Sequence, residues 1–150
     1  MKRILIATDG SQPAHQAVEF GVDLARHEGA AVAIVHVVPF SDDIPLDGFG
    51  LIGRVPYEVN SDDEAVLDEA AAIADREGVP AVSKLLRGDP ATEIVEYGDV
   101  LEADLIVVGS RGHGALASAL LGSVSRGVLA RAGRPVLVVR MSEVVEPVAA

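Results

Sequence analysis

The chain has no cysteine and no tryptophan, and only 3% of its 150 residues are aromatic. Without cysteine, disulfides and thiolate metal sites are excluded. No apolar run approaches the ~20 residues of a membrane-spanning helix. The opening MKRILIATDG runs into an apolar strand and an acidic turn, which is not the pattern of a secretory signal. A cytoplasmic protein with no membrane partner is the expectation. Lysine is scarce too: ten Arg stand against two Lys, and the net charge is −11. Nucleic-acid backbones require a broad basic surface, so no nucleic-acid partner is expected.

One absence is local. Residues 105–140 hold no Asp or Glu but five arginines (Arg111, Arg126, Arg131, Arg134 and Arg140), leaving −16 on the rest of the chain. A bound phosphate would account for carboxylates being unwelcome there.

What is present is a hydrophobic fraction of 49%, enough for the core of one domain over residues 1–150. Five apolar runs stand out: RILIAT (3–8), AVAIVHVV (31–38), AVSKLLR (81–87), DLIVVG (104–109) and PVLVVR (135–140). Four are nearly continuous and β-branched, as strands buried on both faces are; AVSKLLR is mixed and belongs nearer an edge. Helical patterns fill the gaps. Ser11 caps the first, Pro13 falls in its first turn, and Gly29 ends it. Its apolar face is Ala14, Ala17, Val18, Gly21, Leu24 and Ala25. The second opens with Ser61 as cap and Glu64 as capping-box partner, and stops at Gly78. Asp89-Pro90 starts the third, and Gly122 or Ser123 the fourth, which Gly133 and Pro135 end. The order β-α-β-α-β-α-β-α-β predicts an α/β fold, a doubly wound five-stranded parallel sheet with helices on both faces. The long connection 39–60, rich in Pro, Gly and Asp, reads as a functional flap or a flexible loop.

In such sheets ligands sit at the carboxyl ends of the strands. There Gly109 would let a ligand approach the backbone, and Gly112 would supply a turn with positive φ. Gly122 and Ser123 open a helix whose free N–H groups favour an anion, with Ser123 and Ser125 adding hydroxyl donors. The pattern is neither a P-loop, since the window has no lysine, nor the dinucleotide fingerprint, since the first βα turn is TDGSQP. Any one of these glycines could equally serve only to shape a turn. Asp9 suits a turn or a helix cap. Arg111 reads as a phosphate contact or a solvated loop-tip cation, and His113 as a lesser phosphate candidate. His15, His27, His36 and His113 show no ligand spacing, so no metal site is read; His36 reads as a packed strand residue, and the acidic run 62–64 as a helix start.

The spacing Gly109-x2-Gly112-x9-Gly122-Ser123 resembles the nucleotide-binding signature of the universal stress protein family. ILIATDGS, IVHVV, GDPATEI, DLIVVGSRG and RPVLVV fall in register with that family over essentially the whole chain. The resemblance is to its ATP-binding, UspA-like branch. It implies a sheet of order 3-2-1-4-5, of the adenine-nucleotide α-hydrolase-like kind. It also implies a homodimer through the last strand (135–140) and a bound ATP or AMP. Gly109, Gly112, Gly122, Ser123 and Ser125 would take the phosphates and ribose, with a backbone N–H from Val124. Asp9 would meet the base or ribose, Ala7 and Thr8 would line the adenine pocket, and Val38 would present its backbone to the adenine edge. Mg²⁺ or Mn²⁺ would ride on the phosphates. A regulatory or sensing role in stress response follows, with little or slow ATP hydrolysis. Two rivals are an adenylating or ATP-hydrolysing enzyme of the wider α-hydrolase group and a nucleotide-free structural dimer. Against the enzyme, TDGSQP is neither an SGGxDS nor a HIGH-type signature.

Overall fold

A computed structural model of the chain describes residues 1–40, 43–45, 52–54, 58–112 and 121–140. Its elements are β1 (Arg3–Ala7), α1 (Gln12–Glu28), β2 (Ala31–Val38), β3 (Asp43–Pro45), β4 (Ile52–Arg54), α2 (Ser61–Arg76), β5 (Ala81–Arg87), α3 (Pro90–Val100), β6 (Leu105–Gly109), α4 (Ser123–Arg131) and β7 (Val136–Val139). With β3 and β4 set aside, the other strands form one parallel sheet ordered β5-β2-β1-β6-β7. Counted along the chain, that is the expected 3-2-1-4-5. The mixed strand AVSKLLR lies at one edge and β7 at the other.

Period-two alternation divides the core. Ile4, Ile6, Val32, Ile34, Leu105 and Val107 face α1 and α2, while Leu5, Ala7, Ala33, Val35, Ile106 and Val108 face α3 and α4. Strands covered on both faces need apolar residues at successive positions, which is why their sequences run without polar interruption. Helix α1 lies close on the sheet because Gly21 has no side chain: a Cβ there would come within 2.6 Å of the Ile6 Cδ1.

One sequence reading is corrected. The cap of α2 is Asn60, not Ser61. Its side-chain oxygen accepts from the N–H groups of Asp62 (2.9 Å) and Asp63 (3.1 Å), and Asp63 returns a carboxylate oxygen to the Asn60 N–H. Asn60 and Asp63 thus form the capping box one residue earlier than the Ser61–Glu64 pairing, and an amide oxygen serves as well as a hydroxyl there. The connection 39–60 also carries regular structure, an antiparallel pair of β3 with β4 in register Asp43 with Arg54 and Pro45 with Ile52. The remaining residues 41–42, 46–51 and 55–57 lie outside the described residues.

Asp89 caps α3, its Oδ2 accepting from the Thr92 N–H (3.0 Å) and hydroxyl (2.7 Å). These side-chain and backbone bonds from Thr92 outweigh slight desolvation and hold the Asp89 carboxyl below its usual range. A depressed pKa stabilises the fold above the ordinary carboxylate value and loses that stabilisation as pH falls through the lowered one. Asp89→Ala should therefore cost about 1 kcal/mol at neutral pH, roughly 2–4 °C in Tm for a chain of this size. Asp89→Asn, an equally good cap, should stay near the wild type. The Ala deficit, followed by thermal unfolding across pH, should shrink in acid; a deficit unchanged in strong acid would contradict this account of the cap.

Candidate functional site

From β1 the chain winds outward through β2 and β5, then returns to the far side of β1 for β6 and β7. The carboxyl ends of β1 and β6 therefore diverge into loops on opposite faces of the sheet, and a crevice forms between them. A cleft of about 650 Å³ opens there, with Ala7, Val35, Val37, Ile94 and Val108 among its apolar lining.

The first turn of α4 faces this cleft. Arg126 N–H is the first to find a helical acceptor, the Gly122 carbonyl at 3.1 Å. The N–H groups of Ser123, Val124 and Ser125 precede it and have none within the helix. Side chains of Ser11, Asn60 and Asp89 cap the other three helices, but α4 begins at Gly122, which has no side chain to do so. Among the described residues nothing pairs with these three backbone donors, which are left to whatever occupies the cleft.

The two glycine pieces are joined by hydrogen bonds. Gly122 N–H donates to the Ser110 carbonyl at 2.6 Å. The Ser125 hydroxyl, in a residue only 2% exposed, lies 3.0 Å from the Gly122 carbonyl and 3.2 Å from that of Ser110. Its single proton is turned inward, so Ser125 presents its backbone rather than its hydroxyl. Gly109 and Gly112 also make room for neighbouring segments. A Cβ on Gly109 would meet the Pro13 carbonyl oxygen at 2.9 Å, because α1 begins directly over it. A Cβ on Gly112 would collide with the Asp9 carboxylate. The expected positive φ at Gly112 is not found; among the described glycines it occurs at Gly10, Gly29, Gly78 and Gly88.

Of the expected site residues, Ala7, Thr8, Asp9, Gly109, Arg111, Gly112, Gly122, Ser123, Val124 and Ser125 all line this one cleft. Val38 does not. It is 1% exposed, and its carbonyl accepts from the Gly88 N–H at 3.1 Å. The carbonyl it would offer is taken by Gly88, and Val35, His36, Val37 and Pro39 line the cleft instead. His113 lies outside the described residues.

The arginine-rich window resolves into two groups. Arg111 and Arg126 line the cleft and form no ion pair among the described residues. Arg134 serves the fold, with Nη2 2.7 Å from Asp99 Oδ1 and Nη1 donating to the Ala103 carbonyl. Carboxylates do reach the cleft from elsewhere in the chain: Asp9 follows β1, and Asp62 and Asp63 come from the start of α2. Asp9 is held in a tight turn, its Oδ1 accepting from the Ser11 N–H at 2.9 Å. The reading of residues 62–64 as a helix start is correct but incomplete. Every crossover helix here starts at the carboxyl edge of the sheet, which is what brings α2's acidic first turn to the cleft. His36 is packed, as expected, and also bridges: Nδ1 is 3.0 Å from the Thr8 carbonyl and Nε2 is 2.9 Å from Asp63 Oδ1. No cluster of three or more His, Asp or Glu among the described residues could hold a metal ion, and no helix there is long and apolar enough to cross a membrane.

An uncapped helix start at the switch point of a doubly wound sheet defines a class of α/β domain suited to an anionic ligand. The chain belongs to the universal stress protein family, whose profile matches residues 1–140. A universal stress protein of Methanocaldococcus jannaschii is 34% identical over 139 residues, covering 93% of this chain and 82% of that one. Among solved structures, a universal stress protein in complex with cAMP aligns with TM-score 0.72 and 28% identity, over 94% of this chain and 98% of that one. The universal stress protein from Archaeoglobus fulgidus in complex with dAMP aligns with TM-score 0.68 and 27% identity, over 93% and 98%. The sheet order is that of the adenine-nucleotide α-hydrolase-like fold these structures share.

The seating of α1 on Gly109 can be tested. Gly109→Ala forces a methyl against backbone that cannot rotate away, and overpacking of this kind costs about 1–3 kcal/mol. Urea unfolding should show that loss with an unchanged m-value; an unaltered midpoint would mean that α1 does not depend on Gly109.

Proposed function

We propose that the chain binds an adenine nucleotide, ATP or AMP, with its phosphates on the first turn of α4 and its base and ribose toward Ala7, Thr8 and Asp9. The observation that carries this reading is the row of unclaimed N–H groups at Ser123, Val124 and Ser125, opened by a residue without a side chain and flanked by Arg111 and Arg126. The two family members solved with cAMP and dAMP support it. The apolar lining suits a purine ring. Mg²⁺ or Mn²⁺ would be held by the phosphates themselves.

The role that fits is regulatory: a cytoplasmic single-domain module whose nucleotide state is sensed in a stress response. Turnover is slow, far below the ~10 s⁻¹ typical of enzymes. Efficient hydrolysis needs a residue free to orient water, and of the three carboxylates that line the cleft among the described residues two are already engaged, Asp9 with Ser11 and Asp63 with His36 and Asn60.

Thermal unfolding tests binding. A ligand at a hundred times its Kd adds about 2.7 kcal/mol, which raises Tm by roughly 5–11 °C. ATP or AMP with Mg²⁺ should do so, GTP much less, and released phosphate should accumulate slowly in the same samples. Gly122→Asp, whose carboxylate would cap the N–H groups itself, should lose at least tenfold in affinity. No shift with adenine nucleotides, or an equal shift with all nucleotides, contradicts the reading.

We also infer a homodimer through the edge strand β7, whose four residues Val136–Val139 are all apolar and all partly exposed. A bare apolar edge invites antiparallel pairing with a second copy. Val138→Lys should convert a dimer mass in sedimentation at micromolar concentration into a monomer mass. A wild type that is monomeric at both low and high salt rules this out.

A further inference from the structure

We propose that His36 is a positioning residue of the cleft, its doubly protonated ring tying the turn after β1 to the start of α2. The warrant is the chemistry of its two partners. The Thr8 carbonyl and the Asp63 carboxylate both accept hydrogen bonds and neither donates. With 3.0 Å and 2.9 Å contacts, both are hydrogen bonds only when each ring nitrogen carries a proton. His36 is buried, at 8% exposure, so little solvent competes for either contact.

The tie joins opposite parts of the cleft wall. On one side Thr8 leads into Asp9, whose carboxylate lies against Gly112 of the glycine loop. On the other, Asp63 closes the capping box with Asn60 and so sets the first turn of α2. Burial opposes ionisation of Asp63, but the hydrogen bonds from His36 and the Asn60 N–H outweigh it and hold its carboxyl below the usual range. At the acid end the tie therefore persists below the ordinary carboxylate value and fails only when Asp63 takes a proton. With a single ring proton, one of the two acceptors would face a lone pair.

Among the described residues, the ionisable groups that share the cleft with His36 are Asp9 from the turn after β1, Asp62 and Asp63 from α2, Arg111 from the loop after β6 and Arg126 from α4. Lys84 of β5 lies on the other face of the sheet, 4.8 Å over the Tyr97 ring. The nearest ionisable groups at the start of α1, His15 and Glu19, pair with each other at the surface.

The consequence for ligand rests on the nucleotide reading: ATP affinity falls as the tie opens. Asp63→Asn tests both parts. Its carboxamide can accept from the Asn60 N–H and donate to Nε2 of a neutral ring, so the tie no longer needs the extra proton. In the ligand-free wild type at about pH 6, imidazole NMR should show both ring N–H protons in slow exchange with water. An Nε2 without a proton overturns the proposal, whatever the ligand does. In titrations at about pH 6, His36→Leu should bind ATP at least fivefold more weakly than the wild type, while Asp63→Asn, which keeps both contacts, stays within twofold. Wild-type affinity in a folded His36→Leu protein, or an equal loss in Asp63→Asn, also overturns it. Absence of ATP binding by the wild type would instead defeat the nucleotide reading, and the ring-proton result would still judge the tie.

Discussion

Among the described residues, the first turn of α4 leaves three backbone N–H groups without acceptors, and the rest of the site is arranged round that fact. Buried or half-buried donors cost about 1–3 kcal/mol each when nothing pairs with them, and most helices avoid this with a capping side chain. Here Gly122 withholds one, and its own N–H is spent on Ser110. The inward hydroxyl of Ser125 fixes the same corner from beneath. The loop is thus rigid where it is joined and open where it points into the cleft. An anion there gains charge-assisted hydrogen bonds, of the order of 1.5–3 kcal/mol apiece, together with the helix dipole.

The sheet order places those donors usefully. Because the chain reverses direction between β1 and β6, the turn after β1 and the loop after β6 face each other, and Asp9 comes to rest against Gly112. Helices α2 and α4 cover opposite faces of the sheet, yet both begin at its carboxyl edge. The cleft consequently receives cations and donors from one side, carboxylates from the other, and an apolar floor from the strand ends. A ligand with an anionic tail, a flat apolar body and hydroxyl or amino donors matches that sequence of environments.

Much of this was legible in the residues. Continuous β-branched runs announced buried parallel strands, and AVSKLLR announced an edge, because burial on two faces leaves no room for polar alternation. Spacing of Gly109, Gly112 and Gly122 located the cleft. The reasons for the individual glycines were less accessible: Gly109 makes room for Pro13 and Gly112 for Asp9, contacts between segments far apart in sequence. Val38 was expected to offer its backbone to the cleft, but its carbonyl accepts from Gly88, a pairing between segments fifty residues apart that strand patterning does not reveal. The acid-free window marked the phosphate side of the site, but charge along a chain is not charge round a cavity, and Asp62 and Asp63 join Asp9 there from a different element. Ser61 and Asn60 are both competent caps, and the choice between them depends on where the preceding segment leaves the backbone extended.

The central claim is that the first turn of α4 holds the phosphates, and backbone amide NMR during an ATP titration observes those groups one by one. The account predicts large, saturable shifts at Ser123, Val124 and Ser125, accompanied by Gly112 and Gly122, with the far ends of the helices unmoved. Saturable binding that leaves the amides of Ser123, Val124 and Ser125 where they were would contradict it.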